Sequence, residues 1–246
     1  MDHRASERDL ELLEFLAEHR LALPAHVAVL LETSNAAATT RLKRLAGAGL
    51  VKGHAGFQRF YQITKGGLGM IGSSLSSPGT NLREYEHDVG VAWLWLAAHR
   101  GTFGPVEEII SDRRLRSHDG FRDPQTEPLA VRLGGFGPRG NEQLHYPDLV
   151  LRTMDGRRVA LELELTPKSR TRLEKILAGY GADPRYDGVV YLVGRPLLAR
   201  SVQSTARRLG ISDLVHVQRV RSTASTSASA AIARTAGRTH ATDAVR

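Results

Sequence analysis

Apolar positions at helical spacing open the chain: Leu10, Leu13, Leu16 and Ala17 recur ahead of Pro24, while Glu11, Glu14 and Glu18 fall on the wet side and Ser6 stands where an N-cap belongs. Pro24 suits the first turn of a second helix, whose Val27, Leu30 and Leu31 form one apolar stripe. A third helix follows. Ser34 or Asn35 can cap it, Ala38, Leu42 and Leu45 face inward, and Thr39, Thr40, Lys43 and Arg44 point elsewhere before Gly47 and Gly49 end it. LVKGH and FQRFYQIT then alternate with period two around a tight turn at Ala55 and Gly56, and TKGGLGMI restarts a helix.

The pattern changes after SSLSSPGT, a Ser/Pro/Gly linker at 73–80 that places a boundary near residue 75. NLREYEHDVGVAWLWLAAHR predicts a helix, a strand is expected from Val106 to Ile110, and DLVLRT, Asp155-Gly156 and RRVALELEL read as strand, turn and partner strand. Alternation puts Leu161, Leu163 and Leu165 on one face of that partner strand and Glu162 and Glu164 on the other, with Asp148 brought beside Glu162 by the hairpin. SRTRLEKILAGY and PLLARSVQSTARRL predict helices between the strands GVVYLV and LVHVQRV. Trp93 and Trp95 are expected to fill the core beneath the sheet. The Ala/Ser/Thr-rich tail has one Ile and one Val as its large aliphatics, too little to offset its ordering entropy. The expected fold class is α+β in two domains, with residues 1–75 helical and hairpin-bearing, 76–220 alternating β and α, and 221–246 disordered.

Charge narrows the function. Lys and Arg total 34 against 26 Asp and Glu, a net of +8, which points to a polyanionic partner, nucleic acid ahead of anionic membrane. With no Cys, disulfides, thiolate metal sites and a cysteine nucleophile are excluded. The longest apolar run, Val89 to Ala98, is too short to span a bilayer, and the N-terminus lacks a signal-peptide core, so a cytoplasmic protein with no membrane partner is expected. From Thr33 to Arg83 there is no acidic residue, while Arg41, Lys43, Arg44, Lys52, Arg59, Lys65 and Arg83 carry positive charge. Double-stranded DNA is therefore the expected partner. Asn35, Thr39, Thr40 and Lys43 would reach base edges or phosphates, and Arg41, Arg44, Lys52 and Arg59 would meet the backbone.

Three helices and a hairpin carrying RLKRLAGAGLV…FYQITKGG, over about residues 7–72, resemble the winged helix-turn-helix class of DNA-binding domains. The bland reading of the same unit is a protein-contact module with solvated charges. Gly67-Leu-Gly69-Met-Ile-Gly72 matches a dinucleotide fingerprint, but no βαβ unit surrounds it.

Pro147-Asp148, thirteen residues and Glu162-Leu-Glu164 resemble the PD-(D/E)XK motif of the restriction-endonuclease-like fold, over about residues 81–220. That resemblance implies Asp148 and Glu162 as ligands of Mg²⁺ and a catalytic Lys two residues after the Glu. Here Glu164 stands in that position, so Glu164 itself or Lys168 would take the role, or the fold is retained for binding alone. The plain alternative is a half-buried strand whose glutamates face water. His145 and His87 read as surface or capping residues, and Arg170, Arg172, Lys175, Arg200, Arg207 and Arg208 either extend a DNA-facing surface or are simply solvated.

The whole arrangement, with H-D-V near the start of the second unit's first helix and E-L-E-L-T-P-K-S after its hairpin, resembles the replication-relaxation family of actinobacterial plasmids and mobile elements. It implies a DNA-binding accessory protein of plasmid replication or transfer, with replication or transfer proteins as partners. Two other functions remain open from the sequence: a Mg²⁺-dependent endonuclease and a transcriptional repressor. No heptad repeat decides whether the chain forms a homodimer.

Overall fold

The computed structural model describes residues 5–123, 125–137 and 140–220; the expected disordered tail lies outside the described residues. The fold is mixed α+β.

Helix α1 (Glu7–Glu18) begins in a capping box: the Asp9 N–H donates to Ser6 Oγ (3.3 Å) and the Ser6 N–H to the Asp9 carboxylate (3.0 Å). Its buried stripe is Leu12, Leu13, Phe15, Leu16 and Ala17, wider than the expected one, with Leu10 only half-buried. Helix α2 (Pro24–Leu30) starts on its proline, and His26 Nδ1 accepts the Leu23 N–H (3.0 Å) in place of an ordinary cap. A four-residue turn leads to α3 (Asn35–Gly47), which is capped by Ser34 and buries Ala38, Leu42 and Leu45. In that turn Glu32 adopts φ 49°, the left-handed region that an L side chain resists.

Strands β1 (Val51–His54) and β2 (Phe60–Ile63) pair antiparallel with His54 opposite Phe60. Residues 55–59 connect them, so a longer loop replaces the expected tight turn at Ala55 and Gly56. Ala22 joins the far edge of β2, exchanging both backbone hydrogen bonds with Tyr61 (2.8 and 2.9 Å). Helix α4 (Lys65–Met70) follows, capped by Thr64. A Cβ on Gly67 would lie 2.2 Å from the Leu50 carbonyl oxygen, so the first glycine of the GxGxxG match is there for close packing of α4 on the hairpin.

Helix α5 (Tyr85–His99) holds both tryptophans, and they do not lie beneath the sheet. Trp95 meets Phe15 edge-on (5.3 Å between centroids) and Trp93 meets His26 (4.2 Å). The chain accordingly divides into compact units after Leu96, beyond the expected boundary near residue 75. The Ser-rich stretch is tied to the first unit at its end, where Thr80 Oγ1 donates to Gln62 Oε1 (2.9 Å). An apolar run as long as that of α5 must be buried, and the N-terminal helices do so.

The second unit contains β3 (Val106–Ser111), α6 (Asp112–Phe121), the pair β4 (Val131–Phe136) and β5 (Glu142–His145), and then β6 (Leu149–Thr153), β7 (Arg158–Glu164), α7 (Arg170–Ala182), β8 (Gly188–Val193), α8 (Pro196–Leu209) and β9 (Val215–Arg219). Strand order in the five-stranded sheet is β3-β6-β7-β8-β9; β3, β6 and β7 pair antiparallel, and β8 and β9 continue parallel to β7. Gly156, at φ 83°, makes the β6–β7 turn. Val150, Ala160, Val189, Tyr191 and Val193 from the sheet pack with Leu173, Ile176, Leu177, Tyr180, Leu198 and Val202 from α7 and α8. Strand β7 is buried on both faces from Ala160 to Glu164. No helix among the described residues is long and apolar enough to cross a membrane.

Candidate functional sites

The inward stripe of α3 leaves Asn35, Thr40 and Lys43 exposed and Thr39 half-buried. Thr39 Oγ1 donates to the Asn35 carbonyl (2.7 Å) and Thr40 Oγ1 to that of Ala36 (3.1 Å), so each hydroxyl proton is used within the helix and each oxygen is turned outward as an acceptor. Lys43 on α3, Lys52 on β1, Arg59 in the hairpin loop and Lys65 on α4 are exposed and make no ion pair among the described residues. Because α3 packs on β1, helix and hairpin cations belong to neighbouring elements. Phe57, in the same loop as Arg59, is 89% exposed.

Arg41 and Arg44 are placed differently. Both guanidiniums donate to Asp9 Oδ1, and Asp9 is only 1% exposed. Burial alone would raise the Asp9 carboxyl's pKa, but hydrogen bonds from Arg44, Ser6 and Arg41 outweigh it and hold the group well below the usual carboxylate range. Two of the expected backbone contacts are thus also internal clamps between α1 and α3. The sequence did carry a signal: Asp9 is three residues after a capping serine, which fixes where its carboxylate points.

In the second unit, Asp148 Oδ2 accepts the Leu163 N–H (2.7 Å), with Leu149 in register opposite Leu161. Glu162 and Glu164 do not face water, being 3% and 5% exposed. Glu162 Oε1 accepts from the Tyr180 hydroxyl and lies 2.6 Å from His145 Nε2. Glu164 takes the Lys168 ammonium. The three carboxylates are near enough to feel one another: burial first, then the charges of Glu162 and Asp148, raise the Glu164 pKa against the opposing pull of Lys168. Tyr180 is pushed far above its ordinary value by burial and by the neighbouring Glu162.

His145 is therefore neither a surface nor a capping residue, and Tyr180 was not singled out at all. Nothing in the sequence marks Tyr180 beyond its place on the inward stripe of α7. Among the described residues no group of three or more His, Asp or Glu is arranged to hold a metal. Each expected Mg²⁺ donor is already turned to a proton donor, Asp148 to a backbone amide and Glu162 to a phenol and an imidazole, so the pair does not fit Mg²⁺ as arranged.

The helix cations of this unit divide as well. Arg170 and Arg208 share Glu174, and Lys175 reaches Gln143 (3.3 Å), whereas Arg172, Arg200 and Arg207 are exposed. Compared with known proteins, the chain matches no family model and no curated sequence.

Proposed function

We propose that this chain is a duplex-DNA-binding protein whose N-terminal unit docks as a winged helix-turn-helix, with α3 in the major groove and the β1–β2 hairpin as the wing. The observation that carries this reading is the exposed cation set Lys43, Lys52 and Arg59, without ion-pair partners among the described residues, in a stretch that holds no acid from Thr33 to Arg83. The four-residue turn between α2 and α3 suits such a motif. Asn35, Thr39, Thr40 and Lys43 supply the groups that reach base edges or phosphates. The sequence resemblance to the replication-relaxation family is what favours plasmid or mobile-element replication or transfer as the setting for this activity.

Reversing Lys43, Lys52 and Arg59 to Glu should abolish gel-shift binding at low salt while leaving the thermal melt intact. Unchanged affinity would end the reading. For the second unit the same proposal assigns a binding or scaffolding role, because its carboxylates are engaged by internal donors. Supercoiled DNA incubated with the protein and Mg²⁺ should stay intact. Nicking that disappears in Asp148→Ala would instead establish the nuclease.

A further inference from the structure

We propose that an open cavity beside α3, framed by Arg8, Arg41, Arg44, Thr33 and Thr40, is a seat for one phosphodiester of the DNA backbone; this rests on the DNA-binding reading above.

The cavity has a volume of about 330 Å³ and lies wholly within the N-terminal unit. Three guanidiniums and two threonines line it, with no acidic side chain among its lining residues. Asp9, which accepts from Arg41 and Arg44, is not itself among the lining residues. A phosphodiester carries one negative charge and two free oxygens, which suits the forked donors of arginine better than a lone ammonium.

The site is also prepared in advance. Asp9 is buried and fixed by the capping box, so Arg41 and Arg44 are held in place before any ligand arrives, and less side-chain entropy is lost on binding. Arg8 comes from the first turn of α1, is exposed, and makes no ion pair among the described residues. At the helical repeat, Ala37, Thr40, Arg41 and Arg44 run along one flank of α3, whereas Thr39 and Lys43 lie on the other side of its outward face. The cavity and the hairpin cations therefore give the docking helix two grips on the backbone, carried by different elements.

Arg8 is the residue to change, because it lies outside the Asp9 clamp. In full-length Arg8→Ala, binding to duplexes of unrelated sequence should weaken about tenfold at low salt, the loss expected for one charge-assisted contact. The slope of log affinity against log salt should fall by about 1, and Arg8→Glu should exceed both effects. An unchanged slope and affinity, with the wild type still binding DNA, overturns the phosphate seat and leaves the DNA-binding reading standing.

A second arm compares sodium phosphate with sodium chloride at equal ionic strength. Phosphate should raise the melting temperature of the wild type and not of Arg8→Ala. If that happens in a protein that binds no duplex, the seat serves a free phosphate group, and both the backbone assignment and the DNA-binding reading fall. If phosphate gives no differential shift and Arg8→Ala leaves DNA binding unaltered, no seat exists.

Discussion

Asp9 in the N-terminal unit and Glu162 in the second are both nearly inaccessible carboxylates, yet one is held by two guanidiniums and the other by a phenol and an imidazole. The difference matters for what each region can offer a ligand. Cationic partners keep Asp9 charged. Tyr180 and His145 instead both meet Oε1 of Glu162. One buried acid anchors two cations, and the other is enclosed by a phenol and an imidazole.

The strongest challenge to this contrast is at Glu162. Glu162→Ala strands the Tyr180 hydroxyl and His145 in the core and should cost about 3 kcal/mol in urea melts. Glu162→Gln, which can still accept from Tyr180, should cost less than half as much. Equal losses would mean that charge, not hydrogen bonding, holds the cluster, and the two carboxylates would no longer differ in kind.

Asp9→Ala comes next. It removes the carboxylate half of the capping box, leaving the Ser6 cap itself, and takes the buried anion from Arg41 and Arg44, for a loss of about 2 kcal/mol, moderated because both arginines are partly exposed. A neutral outcome would show that the clamp contributes nothing to folding.

A third test uses pH. His26 is buried, and burial lowers its pKa from 6.5 to about 3. In the unfolded chain the imidazole protonates near its ordinary value, so between these two pH values the unfolded state binds more protons and stability falls as pH drops. This group's share approaches about 1.4 kcal/mol per pH unit within that window. His26→Leu should flatten that dependence, whatever its effect on stability at neutral pH.

The smallest effect is a gain. Glu32→Gly should relieve the left-handed strain of the α2–α3 turn, offset by glycine's chain entropy and by the loss of the glutamate's own interactions, for a gain of no more than about 0.5 kcal/mol in urea melts.

Elements whose identity is written in local periodicity were legible in the sequence: α3 with its Ala38, Leu42 and Leu45 stripe, the Asp155-Gly156 turn, and the α7-β8-α8-β9 succession. Features set by distant packing were not. The apolar run of α5 showed that it must be buried but not against which partner, so Trp93 and Trp95 were assigned to the wrong core. Period-two alternation places Glu162 and Glu164 on one face of β7, and it carries no information about whether helices cover that face. Arg41 and Arg44 read as surface cations because their partner is more than thirty residues away in sequence. The hairpin loop was underestimated since Ala55-Gly56 resembles a turn whether or not three further residues extend it.

The short pairing of Ala22 with Tyr61 also bears on how the molecule behaves when crowded. It occupies the outer rim of β2, so strand addition by a neighbouring copy is blocked there. The opposite rim belongs to β1, a strand of only four residues that carries the exposed Lys52. A two-stranded ribbon is ordinarily a template for aggregation; in this one a single residue guards one border, and a short strand with a charged lysine forms the other.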